Sequence, residues 1–301
     1  YCHCVREKSI IPHMIGERRT LVSTDSLGIL GTPRLLNELY KFDLAGKIDG
    51  LEMIGWAGIS GLRLRSLISE AQGYGWKVDG IHGRTGGLHD SFSVRHRLLL
   101  LSLNLALTET RPLAKNFADI PYILIHTPVL RSHDNVEALK KYRQGLVFCE
   151  NHIRITGAGG ALEGVIRLRQ LGIKAGLMFD LLHYFEADHD SLDFDTKWNN
   201  GLLYLEKVIL ESRDFTGREF PLGIHLSMGR NLSDSFAGRE LTVERLKRLA
   251  QVINANDRVV YFVIENLDKF PSIIIPFGRF INMQRDWNER NLAKLSVAGL
   301  I

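Results

Sequence analysis

The stretch "LVFCENHIRITGAGGALEGVIRLRQLGIKAGLMFD" (146–180) decides the fold. It opens on an apolar run, Leu146 to Cys149, that is stopped by Glu150. It closes on a second run, "KAGLMFD" (174–180), stopped by Asp180. Between them, "GALEGVIRLRQLG" (160–172) repeats its apolar residues at helical period and ends on Gly172, a residue suited to a helix C-terminus. Strand, crossover helix and strand in this order mean parallel pairing. The glycine-rich "TGAGGALEG" (156–164) lacks the GK[ST] of a phosphate-binding loop and reads as a turn into the helix.

The same unit recurs on both sides. Upstream, "TLVSTD" (20–25) is followed by the helical "PRLLNELYKFDLA" (33–45), with Pro33 in the first turn. "IDGLEMIG" (48–55) is followed by "LRLRSLISEAQGYG" (62–75). "KVDGIHG" (77–83) leads through a long connection, with a buried helix expected around "LLLLSLNLAL" (98–107), to "PYILIHTP" (121–128) and the helical "HDNVEALKKYRQG" (133–145). Downstream come the helix "WNNGLLYLEKVILESRD" (198–214), the strand "FPLGIHL" (220–226), the helix "TVERLKRLAQVINAN" (242–256) and the strand "RVVYFVIEN" (258–266). Eight βα units over about 250 residues fit an α/β fold, a single-domain (β/α)8 TIM barrel. A doubly wound sheet is disfavoured because no GxGxxG opens the first helix. The expected division is an N-terminal tail (1–17), a barrel catalytic domain (18–276) and a C-terminal extension (277–301).

The chain's 301 residues are 45% hydrophobic and 24% charged, an ordinary globular composition. A formal net charge of +4 permits an anionic substrate but falls short of a surface built to grip nucleic acid. Cys2, Cys4 and Cys149 form no disulfide framework, and "YCHC" (1–4) has no second CxC or HxxxH with which to hold a metal. No apolar run reaches the roughly 20 residues of a membrane helix, so no membrane partner is expected and the cytoplasm is the expected location.

Chemistry in such barrels sits at the C-terminal ends of the strands. The second strand ends near Glu52, the third at His82, the fourth at His126, the fifth at Glu150, the sixth at Asp180, the seventh at His225 and the eighth at Glu265. One such residue is ordinarily just hydrogen-bonded. Clustered carboxylates, however, repel one another and lose hydration unless a cation compensates. A divalent metal is the simplest compensation. A mixed oxygen and nitrogen set without thiolate suits Mn2+ first, with Mg2+, Co2+ or Zn2+ as alternatives.

The motifs "LVFCENH" (Glu150), "LMFDLLH" (Asp180, His183), "GIHLSMGRN" (His225, Arg230) and "YFVIENL" (Glu265) together resemble those of the xylose isomerase-like TIM barrels. This superfamily of sugar isomerases and epimerases also includes endonuclease IV, and the resemblance covers residues 18–275. It implies that Glu150, Asp180, His225 and Glu265 bind one metal. It implies further that Glu150 and Glu265 are catalytic: one removes a proton beside the substrate carbonyl, and the other returns it from the opposite face while the metal stabilises an enediolate. His183, expected in the loop after the sixth strand, resembles a histidine that contacts substrate oxygens, and Arg230 an arginine that binds substrate hydroxyls. His82, His126, Trp56 and Glu52 complete the expected substrate-binding set; Glu52 is read as an anchor for a loop or a substrate hydroxyl.

The expected partner is therefore a small sugar or cyclitol, with homo-oligomers as in related barrels. Two alternatives use the same site: dehydration of a cyclitol or keto-sugar, and endonuclease IV-like hydrolysis of abasic DNA. In endonuclease IV, histidines matching His82 and His126 bind a second zinc bridged by the glutamate matching Glu150. Its third zinc needs a DxH motif after the seventh strand. Here "HLSMGRNLSDSF" (225–236) supplies Asp234 without a histidine two residues on. Only "GRTGG" (83–87) and "SVRHR" (93–97) offer basic loops for DNA.

Overall fold

A computed structural model describes residues 18–23, 48–55, 61–83, 119–127, 130, 133–142, 145–151, 159–186, 193–227, 241–265 and 290–301. The strands are β1 (Arg19–Ser23), β2 (Gly50–Gly55), β3 (Val78–Gly83), β4 (Tyr122–His126), β5 (Leu146–Glu150), β6 (Ala175–Asp180), β7 (Leu222–Ser227) and β8 (Val259–Glu265). They close into one parallel barrel in sequence order, with β1 pairing β8 through Leu21 and Val263. The helices α1 (Gly61–Gly73), α2 (His133–Lys140), α3 (Gly159–Gln170), α4 (Leu181–Glu186), α5 (Phe194–Glu211) and α6 (Val243–Asn254) are joined by a last helical segment at 290–298. The expected (β/α)8 barrel is thus the observed fold. The helices expected at 33–45 and 98–107 lie outside the described residues.

Side chains alternate across each strand, so each strand sends one set into the barrel and the other towards the helices. Residues of β1, β4, β5, β6 and β8 build a small interior core: Leu21, Tyr122, Leu124, Leu146, Phe148, Met178, Tyr261 and Val263, with Val260 packed beside them. The outward set, with Ile123, Ile125, Val147, Cys149, Leu177, Phe179, Ile224, Phe262 and Ile264, joins the larger core under the helices. Large inward residues need small ones opposite. A Cβ on Gly80 of β3 would overlap the Tyr122 ring, and one on Gly223 of β7 would lie 2.5 Å from Met178 Sδ.

Several boundaries differ from expectation for local reasons. Helix α5 begins four residues before the expected Trp198, because the Asp193 carboxylate caps it by accepting from Thr196 N at 2.9 Å. Helix α6 begins at Val243, capped by Thr242, whose hydroxyl accepts from Arg245 N. Arg245 also ties α6 to α5 through Asp195. Helix α2 stops at Lys140 rather than running to Gly145. Residues 290–301 pack against the barrel: Leu292, Leu295 and Leu300 are buried, Arg18 donates to the Leu300 carbonyl and Asn254 to that of Gly299. No described helix is long and apolar enough to cross a membrane.

Between α5 and β7 the chain is pinned by Asp214. Its buried carboxylate accepts from Thr216 N at 2.8 Å, Thr216 Oγ1 at 2.5 Å, Arg218 N at 3.1 Å and Arg169 Nε at 3.0 Å. Burial opposes ionisation, but these donors outweigh it and hold the carboxyl well below the usual range. Asp214→Ala is expected to lower stability by about 2–3 kcal/mol in denaturant unfolding, because it orphans several donors at once. A depressed folded pKa stabilises above the unfolded value near 4 and is lost as pH falls. The gap between wild type and variant is therefore expected to shrink in acid.

Candidate metal centre

The period of two that fills the barrel with Tyr122, Leu124, Phe148 and Met178 also sets which polar residues share its mouth. His126 is two residues beyond Leu124, Glu150 two beyond Phe148, Asp180 two beyond Met178 and His225 two beyond Gly223. The register pairs His126 with Glu150 and Asp180 with His225 across neighbouring strands. Glu52, Glu150 and His225 are fully buried, Asp180 and His126 nearly so, while His82 and His183 keep partial exposure towards the mouth.

Four of these side chains form a closed ring in which carboxylate and imidazole alternate. Glu52 Oε2 is 3.2 Å from His225 Nε2, and His225 Nδ1 is 2.7 Å from Glu150 Oε1. Glu150 Oε2 is 3.3 Å from His82 Nε2, and His82 Nδ1 is 3.4 Å from Glu52 Oε1. His126 Nε2 adds a further approach to Glu150 Oε2 at 2.8 Å, and Asp180 Oδ2 stands 4.0 Å from His225 Nδ1.

The electrostatics follow from this ring. Burial alone would push the Glu52 carboxyl up, but His225 and His82 outweigh it and bring it down to about 2. Glu150 is held well below its ordinary value in the same way, against its burial, by His82, His225 and His126. His126 moves down because burial disfavours its cation more than Glu150 favours it. That leaves a neutral imidazole, the form that binds metal.

Asp180 does two things. Its Oδ1 accepts from His183 N at 3.1 Å, capping α4, while its Oδ2 points towards His225. His183 therefore stands in the first turn of α4 rather than in a loop, with Nε2 3.7 Å from Asp180 Oδ2. The cap is the physical reason for this correction. The Asp180 backbone is clamped by Asn151, which donates to its carbonyl at 2.8 Å and accepts from its amide at 2.7 Å.

The structure thus brings together Glu52, His82, His126, Glu150, Asp180, His183 and His225. Glu265 ends β8 opposite Ser227 in the register, and its side chain is outside the described set. Trp56 and Arg230 also lie outside the described residues. Sequence reasoning missed Tyr122, whose hydroxyl donates to Glu52 Oε2 at 2.6 Å, and Asn151. Asn151 had a signal, standing directly after the strand-ending Glu150. Tyr122 had none, because it reads as one more residue of an apolar strand.

Among the described residues, three donor groups have atoms within 4.8 Å of one another: Glu52, His82 and His225; His82, His126 and Glu150; and Glu150, Asp180 and His183. These residues fit a divalent cation. Both Glu150 oxygens are buried and receive no hydrogen bond of acceptable geometry, although imidazole nitrogens lie 2.7 and 2.8 Å away. Such close but unaligned donors and acceptors are spaced as ligands converging on a shared ion are.

No family model and no curated protein matches the chain. Solved structures do. A truncated 3-deoxy-D-arabino-heptulosonate 7-phosphate synthase from Thermotoga maritima aligns at 14% identity and a TM-score of 0.50, covering 93% of this chain and 85% of that one. An L-ribulose 3-epimerase aligns at 11% identity and a TM-score of 0.48, over 94% of this chain and 96% of that one. The 3-keto-D-glucoside 4-epimerase YcjR from E. coli aligns at 12% identity and a TM-score of 0.45, over 91% and 99%. At such identities the likeness is one of barrel fold.

Proposed function

We propose that this chain is a divalent-metal-dependent isomerase or epimerase of a small sugar or cyclitol, from the xylose isomerase-like barrels. The observation that carries the reading is Glu150: a buried carboxylate with neither oxygen in a well-aligned hydrogen bond, yet ringed by His82, His126 and His225. Glu150, Asp180, His225 and Glu265 would hold the metal, with Mn2+ favoured by the oxygen and nitrogen donor set. When bound, such an ion polarises a substrate carbonyl and acidifies the adjacent C–H.

The protein's own groups then divide the work. Glu150 would accept the proton as a carboxylate. Glu265 ends β8, three strands around the eight-strand ring from β5. The proposal has Glu150 and Glu265 act on opposite faces of a substrate lying across the mouth, as inversion at one carbon requires. His183 and His82, more exposed than His126 and His225, would bind substrate hydroxyls, with His126 behind them. Arg230 and Trp56 belong to the same proposal.

The deciding experiment is elemental analysis of purified protein, followed by a panel of ketoses and cyclitols incubated in D2O. The expected result is bound divalent metal and deuterium entering the carbon next to the carbonyl, with product of unchanged formula. Loss of water from the product would instead assign the dehydratase chemistry. Metal-free protein with full activity would overturn the reading.

One observation favours a second reading. His82, His126 and Glu150 form a donor group of their own, and Glu150 is shared with the group containing Asp180 and His183. A bridging carboxylate between two cations suits phosphodiester hydrolysis. Two or three zinc ions per chain, with substrate affinity falling steeply as salt rises, would select it.

A further inference from the structure

Glu52 does not have the surroundings of a substrate ligand. It is fully buried, and the register pairs it with Gly80, two residues before His82, so it stands one inward layer below the mouth. Its Oε2 accepts from the Tyr122 hydroxyl at 2.6 Å and lies 3.2 Å from His225 Nε2, in hydrogen-bonding geometry. Its Oε1 faces His82 Nδ1 at 3.4 Å. The opposite nitrogen of each imidazole faces Glu150: His225 Nδ1 at 2.7 Å and His82 Nε2 at 3.3 Å.

A neutral imidazole carries one proton, and an ionised carboxylate only accepts. Both His225 nitrogens face a carboxylate, but the contact of Nε2 with Glu52 has hydrogen-bonding geometry; with the proton held there, Nδ1 keeps the lone pair that can bind a cation. Tyr122 fixes the carboxylate in turn. Its ring is fully buried in the barrel interior, edge-on to Phe148, in space left by Gly80.

We infer that Glu52, anchored by Tyr122, is a positioning residue that keeps the proton of His225 on Nε2 and so leaves Nδ1 as the nitrogen offered beside Glu150 and Asp180. The inference rests on the metal reading above. It gives Glu52 a role through His225 rather than through contact with substrate or metal. Tyr122, which nothing in the strand pattern marks as functional, becomes part of the site.

The test uses the full chain freed of metal, titrated with Mn2+ and with Zn2+ by calorimetry, as wild type, Glu52→Gln and Tyr122→Phe. Glu52→Gln is expected to weaken metal affinity about 100-fold and Tyr122→Phe about 10-fold, the range for groups that orient metal-binding histidines. If Glu52→Gln fails to fold, Tyr122→Phe carries the test. Nitrogen-15 histidine spectra of the Zn2+-loaded wild type give a readout that packing alone does not move. They are expected to place the His225 proton on Nε2. Wild-type affinity in both variants, or a His225 proton on Nδ1, would overturn the inference while leaving the metal reading intact. A wild-type chain that binds neither ion would instead overturn the metal reading, and the inference with it.

Discussion

Glu150→Gln is expected to remove turnover, by about 1,000-fold or more, in a protein that still folds. The size of the effect comes from two losses at one atom pair. The amide no longer accepts a proton, and general acid–base catalysis alone is worth about 100- to 10,000-fold. It also presents an NH2 group to His126 or His225, where the carboxylate had offered an oxygen to each. The fold is expected to survive, because the amide has the same shape and the carboxylate oxygens accept no hydrogen bonds that packing depends on. Circular dichroism and thermal unfolding would read the fold, and the D2O exchange assay the turnover. Full activity in a folded Glu150→Gln protein would sink the proposed function.

The largest expected effect on stability comes from a position that carries no chemistry. Gly80→Ala is expected to destabilise the barrel by about 3 kcal/mol, read as a lower denaturant midpoint. The added Cβ would overlap the Tyr122 ring, and that ring has no room to retreat: it is fully buried and lies 4.7 Å, centroid to centroid, from Tyr261 and 5.2 Å from Phe148. Overpacking a tight core costs about 1–3 kcal/mol. Moving Tyr122 also takes its hydroxyl from Glu52 Oε2, which keeps only His225 Nε2, at about 1 kcal/mol more. Combining Gly80→Ala with Tyr122→Ala is expected to cost clearly less than the sum of the two, because the second change removes the clash created by the first. Additive effects would show that the clash is relieved elsewhere.

How much of this was legible beforehand follows from which forces act along the chain and which act across it. Seven of the strands could be read because each is a short apolar run stopped by a polar residue, and the stop itself marks the barrel mouth; β2, expected to end near Glu52, instead runs past it to Gly55. The convergence of Glu52, His82, His126, Glu150, Asp180 and His225 could be anticipated, because a closed parallel barrel has only one such mouth. What could not be read was the depth of each side chain within it. Glu52 and His82 look alike as strand-ending residues, yet the register places Glu52 a layer lower, fully buried against Tyr122. That follows from the stagger between β2 and β3, with its irregularity between Leu51 and Glu52, and stagger is a property of two strands. The short helix carrying His183 was missed for a related reason. The carboxylate that starts it, Asp180, was already spoken for as the end of a strand.

The seam of the barrel has a consequence for how the site comes into being. β1 pairs with β8 through residues such as Leu21 and Val263, among the most distant partners the chain offers. Contacts of that separation form late, because a long loop must be closed before they return any stability. The carboxylate–imidazole ring draws on β2, β3, β5 and β7, so it too needs strands brought together from far along the chain. A half-formed sheet can hold part of this ring, never the whole of it. The closed ring is thereby confined to molecules whose barrel is nearly complete, whereas the four proposed metal ligands, all on β5 to β8, would need only half of it.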